Sequence, residues 1–132
     1  MPHPSIIRQY VYETDNWKRL LTFFIQENVS LKTRLAEVVD VILDNEDLAI
    51  VEKFQEKFLS QDRIISFLSD ELQQQKKLLE KHMYESEELF EELVKHQEKL
   101  RKEIKKTEEI FSKMKEEFGD YLTGKFNCFI LF

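Results

Sequence analysis

The chain has 132 residues, of which 42% are apolar and 35% charged, with 2 Gly, 2 Pro, 1 Cys and a formal net charge of -6 at pH 7. Both prolines (Pro2, Pro4) precede residue 5 and both glycines (Gly119, Gly124) follow residue 118, which excludes folds built on glycine turns, such as β-sandwiches, dinucleotide-binding units and phosphate loops. The chain is too apolar for wholesale disorder, too acidic for general binding to a phosphate backbone, and its lone Cys128 leaves no intrachain disulfide and no cysteine-based zinc site.

Residues 1–13 read as an extended leader, because Ile6, Ile7, Tyr10, Val11 and Tyr12 form a short β-branched and aromatic stretch. Thr14 or Asp15 then serves as an N-cap, its side-chain oxygen accepting a free backbone N–H. From there the seam steps by four and three through Trp17, Leu21, Phe24, Asn28, Leu31, Leu35, Val38 and Ile42, which is a heptad and predicts a helix over about 14–43. Asp44-Asn45-Glu46-Asp47 supplies a turn and a cap. A second seam runs through Val51, Phe54, Phe58, Gln61, Ile65, Leu68, Leu72, Gln75, Leu79 and His82, predicting a helix over about 47–82. The third, through Phe90, Leu93, Gln97, Leu100, Ile104, Thr107, Phe111, Met114, Phe118 and Tyr121, predicts one over about 87–122.

The second and third seams are four residues out of phase, which marks either a stutter in one long helix or a chain reversal. Three helices of matched length, roughly 45–54 Å each, favour the reversal. The expected fold is therefore all-α: an antiparallel up-down-up bundle of three long helices with coiled-coil-like heptad packing over 14–122. Residues 123–132 form an apolar C-terminal tail containing Phe126, Cys128, Phe129, Ile130, Leu131 and Phe132. The tail is too short to span a bilayer, and Cys128 lies fifth from the end, one place off a prenylation box.

Helix 1 carries more apolar residues than one seam needs, namely Leu20, Phe23, Ile25, Val29, Val39 and Val41. Leaving such side chains in water forgoes roughly 1.5–3 kcal/mol each. We therefore expect a homodimer through helix 1, with Trp17, Leu21, Phe23, Phe24, Ile25, Asn28, Val29, Leu31, Leu35, Val38 and Ile42 as interface residues; an unidentified protein partner is the other occupant. Asn28 either fixes register from a core position or sits hydrated at the rim, and Gln61, Gln75, Gln97 and Thr107 are further candidate polar layers. The basic stretch 95–106 reads first as a solvated face laced by pairs such as Glu91–Lys95, Glu98–Lys102 and Glu109–Lys113. Its alternative use is as a nucleic-acid surface, but no aromatics interleave there to stack bases.

Chemistry has no foothold in this sequence. The residues three before His82 and His96 are leucines, so the Glu-x-x-His pairs of a di-iron bundle are missing. No calcium loop or zinc helix motif occurs, and Cys128 has no histidine near it in sequence. No enzyme activity, cofactor or metal is expected. No apolar run approaches the ~20 residues of a membrane helix, the N-terminus lacks the pattern of a secretory leader, and the expected compartment is the cytoplasm. The function these features imply is a non-enzymatic protein–protein interaction or scaffold module; the alternative is an accessory nucleic-acid-binding protein using 95–106.

Leu31-Lys32-Thr33-Arg34-Leu35-Ala36-Glu37-Val38, Phe54-Gln55 to Asp62, Leu100-Arg101-Lys102-Glu103-Ile104 to Phe118, and Tyr121-Leu122 together resemble a group of small bacterial coiled-coil proteins. The resemblance spans about 14–122. It implies a helical bundle and carries no activity, because that group has no assigned role.

Overall fold

The computed structural model describes residues 4–42, 44–80 and 86–126. Among these residues three helices account for nearly everything: α1 Pro4–Val41, α2 Asn45–Glu80 and α3 Glu87–Phe126. They form an all-α three-helix bundle. At 1.5 Å per residue they run about 54–60 Å each.

The helix starts are written in their caps. Pro4 opens α1, where its fixed φ suits the first turn and its missing N–H costs nothing. Asp44 closes the start of α2, its Oδ1 accepting from the Glu46 N–H at 2.8 Å while its carbonyl accepts from Leu48 N–H at 3.1 Å. Ser86 does the same for α3, its Oγ accepting from the Leu89 N–H at 3.1 Å. Glu46 and Asp47 in α2, and Glu87 and Glu88 in α3, place negative charge where the helix dipole favours it.

The expected leader is not extended. Residues 4–13 continue α1, because the four-three spacing runs backwards from Trp17 through Thr14, Tyr10 and Ile7, and all three are buried. Ile7 and Tyr10 pack with Leu79 and Leu93 in a second apolar cluster at one end of the bundle. Thr14 is accordingly no N-cap: it lies in mid-helix, 1% exposed, its hydroxyl donating to the Val11 carbonyl at 2.9 Å. β-branched side chains lower helix propensity by only a few tenths of a kcal/mol, and burial of the seam outweighs that. The other boundaries shift less: α1 ends at Val41, α2 begins at Asn45, and α3 runs past 122 to Phe126. The predicted break at 82–87 falls on residues that, apart from Ser86 and Glu87, lie outside those described, and so do 127–132 of the tail.

The main core joins all three seams. Every seam position of α2 from Val51 to Leu79 is buried, as are Leu21, Phe24, Leu31, Leu35 and Val38 of α1 and Leu100, Ile104, Phe111, Met114 and Phe118 of α3. Trp17 and Ile42 are half-buried against it. Phe118 meets Phe54 at 5.1 Å and Phe58 edge-on at 5.2 Å, and Phe24 stacks on Phe111 at 4.8 Å, geometries favoured by the ring quadrupoles. Cross-helix partners order the helices. Asp15 faces Lys76 while Asn28 faces Asp62, and Lys57 faces Glu117 while Gln75 faces Gln97, so numbers fall on α2 as they rise on its neighbours. Glu13–Arg101 and Glu27–Lys115 rise together on α1 and α3.

The Ile7→Ala variant tests the helical N-terminal segment. We expect it to lose about 2–4 kcal/mol of unfolding free energy in urea, the usual result of emptying a buried isoleucine site. A loss within about 0.5 kcal/mol, as for an exposed position, would show that 4–13 contributes nothing to the core.

Candidate interaction surfaces

The five polar seam residues Asn28, Gln61, Gln75, Gln97 and Thr107 are all buried, as is Thr14, and all but Thr107 fall at two levels of the bundle. Thr14 and Asn28 lie fourteen residues apart on α1, and Gln61 and Gln75 lie fourteen apart on α2, so corresponding layers are separated by about 21 Å along the bundle. In the first layer Gln75 Nε2 donates to the Leu93 carbonyl at 3.1 Å and to Gln97 Oε1 at 3.0 Å. Gln97 Nε2 in turn donates to Glu13 Oε1 at 3.2 Å. Glu13 receives Arg101 through two nitrogens at 2.6 to 3.0 Å, and Arg101 also meets Glu98. His96 closes the far side, with Nδ1 2.6 Å from Gln75 Oε1 and Nε2 2.9 Å from Glu71 Oε2. This layer therefore ties all three helices. Bonds to Glu13 raise the Arg101 guanidinium still further above its ordinary value, and the guanidinium lies 6.0 Å from the Trp17 ring.

The second layer is incomplete. Asn28 is fully buried, not at a rim, and its Nδ2 donates to the Phe58 carbonyl at 2.8 Å and to Asp62 Oδ1 at 2.7 Å, while Lys32 donates to the other Asp62 oxygen at 2.6 Å. Gln61, 2% exposed, has no partner among the described residues for either amide atom, and Asn28 Oδ1 has none there. The reason is visible on α3. Fourteen residues after Gln97, which satisfies Gln75, stands Phe111, whose ring is spent on Phe24. Ile110 and Met114 of α3 line the groove beside Gln61 together with Lys113 and Glu117, none of which bonds its amide.

At the opposite end of the bundle Asp47 accepts from Lys125 at 2.6 Å and from the Tyr121 hydroxyl at 3.1 Å. The Lys125 ammonium holds the Asp47 carboxyl below its usual range, and Asp47 holds Lys125 above its own. Burial first, then the bond to Asp47, pushes Tyr121 up to about 12.

The expected interface residues separate into two classes. Leu21, Phe24, Asn28, Leu31, Leu35 and Val38 are consumed by the chain's own core, with Trp17 and Ile42 packed at its edge. Phe23, Ile25 and Val29 remain exposed at 51%, 46% and 54%. They do not make a single face. Phe23 and Ile25 are two residues apart, about 200° around the helix. Phe23 shares its flank with Glu27, which is bonded to Lys115 of α3, whereas Ile25 and Val29 lie on the flank of Lys32, bonded to Asp62 of α2. Between the flanks lie Thr22, Gln26 and Ser30, all exposed and uncharged. Leu20, counted with the surplus, is partly buried.

The basic stretch 95–106 also divides. Arg101 turns inward to Glu13, and Glu98 meets Arg101 in place of the expected Lys102. Lys95, Lys99, Lys102 and Lys106 line one exposed stripe of α3, in no ion pair with the described residues. Among the described residues no group of three or more His, Cys, Asp or Glu is placed to hold a metal ion, and no helix is long and apolar enough to cross a membrane. Sequence reasoning did not assign Glu13, Glu71, His96 and Arg101 to this layer; each sits next to a seam position (Thr14, Leu72, Gln97 and Leu100), and Glu71 and Arg101 lie one helical turn from Gln75 and Gln97.

Two outcomes follow from this geometry. Gln61→Met, which keeps the volume and removes the unpaired amide, should stabilise the chain by about 1–2 kcal/mol in urea unfolding; a loss of stability would mean the amide is satisfied. Asp47→Asn should lower the thermal midpoint most between about pH 5 and 9. The depressed Asp47 carboxyl contributes stability above the ordinary carboxylate range, lost as pH falls through its folded value. The raised Lys125 and Tyr121 contribute below about pH 10 and lose this as pH rises, Tyr121 through about 12. A gap between the two proteins that stays constant from acid to alkali would rule the cluster out. Comparison with protein-family models, curated proteins and solved structures finds no match for this chain.

Proposed function

We propose that this chain is a non-enzymatic protein–protein interaction module of the cytoplasm, a scaffold that acts through its helical surfaces and self-associates as a homodimer through α1. The observation that carries this reading is the outer surface of α1 across residues 20–31. In a chain with 35% charged residues, its exposed side chains there are Thr22, Phe23, Ile25, Gln26, Val29 and Ser30, none of them charged. The one acidic residue in the segment, Glu27, is turned aside and neutralised at 2.8 Å by Lys115. Depletion of charge with enrichment of aromatic and aliphatic side chains is the signature of an interface centre, where such groups supply most of the binding energy. A partner covering this face contacts Phe23 on one flank and Ile25 and Val29 on the other, so it must straddle α1.

A second reading, an accessory nucleic-acid-binding protein, is favoured by the unpaired stripe of Lys95, Lys99, Lys102 and Lys106. The net charge of -6 works against it.

Light scattering behind a sizing column, across a wide range of concentration, tests the first reading. We expect a mass near twice 16.0 kDa for the natural chain, and a fall to the single-chain mass for the Phe23→Glu/Val29→Glu variant with its helix content retained. A natural chain that stays at 16.0 kDa throughout, or a variant that stays a dimer, overturns self-association through this face.

A further inference from the structure

Three lysines from two basic pairs far apart in sequence, Lys18, Lys76 and Lys77, meet across one cleft, and Arg19 lines the recess beside it. Lys18 and Arg19 lie on α1, Lys76 and Lys77 on α2, and the pairing of the two helices brings them to the same level, where Asp15 reaches Lys76. The cleft encloses about 500 Å³ and is lined by Thr14, Lys18, Leu21, Thr22, Ser69, Leu72, Gln73, Lys76, Lys77 and Glu80. It continues into a shallower recess that adds Asp15, Arg19, Phe23 and Gln26.

Charge is the informative feature. Lys18 and Lys77 stand in no ion pair with the described residues, Arg19 bonds only the neutral amide oxygen of Asn16 at 3.1 Å, and the Lys76–Asp15 pair is long at 3.5 Å. Four cations against Asp15 and Glu80 make a locally positive site on a chain whose total is -6. Like charges gathered without partners raise one another's energy, and an anion between them relieves it. The neutral donors are few. The Thr14 and Thr22 hydroxyls already donate to the carbonyls of Val11 and Lys18, which leaves Ser69 and Gln73 to donate.

We propose that this α1–α2 cleft binds a small organic anion with at least two negative charges and a compact apolar body. The charges lie among Lys18, Lys76 and Lys77, with Arg19 at the adjoining recess, Ser69 and Gln73 donate to the anion's oxygens, and the apolar body rests on the methylene stems of the three lysines, which lie over the buried Leu21 and Leu72. A cleft of this size, with aliphatic lysine stems and a few converging polar groups, matches the build of small-molecule sites. The same chemistry could come from a soluble phosphorylated compound or from a phosphate headgroup at a lipid surface.

The test uses the whole chain, labelled for NMR and titrated at low salt with phenyl phosphate, and separately with inorganic phosphate. We expect saturable shifts confined to 14–26 and 69–80, with phenyl phosphate the tighter of the two because only it packs against the methylene stems of Lys18, Lys76 and Lys77. The Lys18→Gln/Lys77→Gln variant should weaken binding by about tenfold or more with its thermal midpoint unchanged, while Lys99→Gln/Lys102→Gln should leave binding as it was. Sedimentation with phosphatidylglycerol vesicles separates the sources: retention that needs Lys18 and Lys77 assigns a lipid headgroup, and phenyl phosphate binding without retention assigns a soluble anion. Shifts centred on 95–106, shifts spread over all lysines, or no saturable shift would each overturn the proposal.

Discussion

Apolar burial alone cannot fix this bundle, because a four-three pattern repeats every seven residues. Slide one helix by a heptad, about 10.5 Å, and leucine again meets leucine along most of the seam. The degeneracy is broken by the polar residues set into the seams. Gln75 is satisfied only when Gln97, Leu93 and His96 stand opposite, and Gln97 in turn needs Glu13, which needs Arg101. Move any helix by one heptad and a buried amide faces an aliphatic side chain, at a desolvation cost of about 1–3 kcal/mol. Asn28, bonded to the Phe58 carbonyl and to Asp62, holds α1 to α2 in the same way. Everything else about the surface, including which flank Phe23 lies on and which lysines meet across a cleft, depends on that locked register.

The lock has an uneven quality that bears on function. Two layers fourteen residues apart would allow a slip of two heptads if they were identical. They are not, because α3 offers Gln97 to one and Phe111 to the other. The mismatch makes the register unique, and its cost falls on Gln61, whose amide finds no partner among the described residues. Polar residues at core positions commonly trade stability for a single arrangement, and here the arrangement gained is the one that turns a charge-free face of α1 outward.

Much of this was legible in the sequence, for physical reasons. The seams of α2 and α3 read correctly nearly residue by residue because burial on one face of a helix imposes its own period, and no glycine or proline blurred it. The polar layers were visible as polar intruders in that period. What failed was the start of α1: Ile6, Ile7 and Val11 were weighed by strand propensity, although the spacing from Ile7 to Tyr10 to Thr14 already continued the seam. Local preference is worth tenths of a kcal/mol and burial whole ones, so the period should have outweighed the residue type. The surplus on α1 was seen, but its division between two flanks was not, even though two residues along a helix always turn through about 200°.

The features that carry the functional proposals belong to a different category, since no local pattern encodes them. Lys18-Arg19 and Lys76-Lys77 are unremarked dipeptides until α1 and α2 are placed side by side, and Glu27 looks like an exposed charge until Lys115 arrives from α3. Pairing removes charge from one surface and concentrates it on another: Lys115 and Lys32 are drawn to their carboxylates and bare the apolar face beside Phe23 and Val29, while Lys18 and Lys77 are left with none. The same folding step thus sets an uncharged surface and a cationic cleft side by side on one helix, sharing Thr22. Phe23 lines the recess that the cleft opens into. A partner seated across α1 would roof the recess and strengthen any anion held there by excluding water, since screened charges interact more weakly than covered ones.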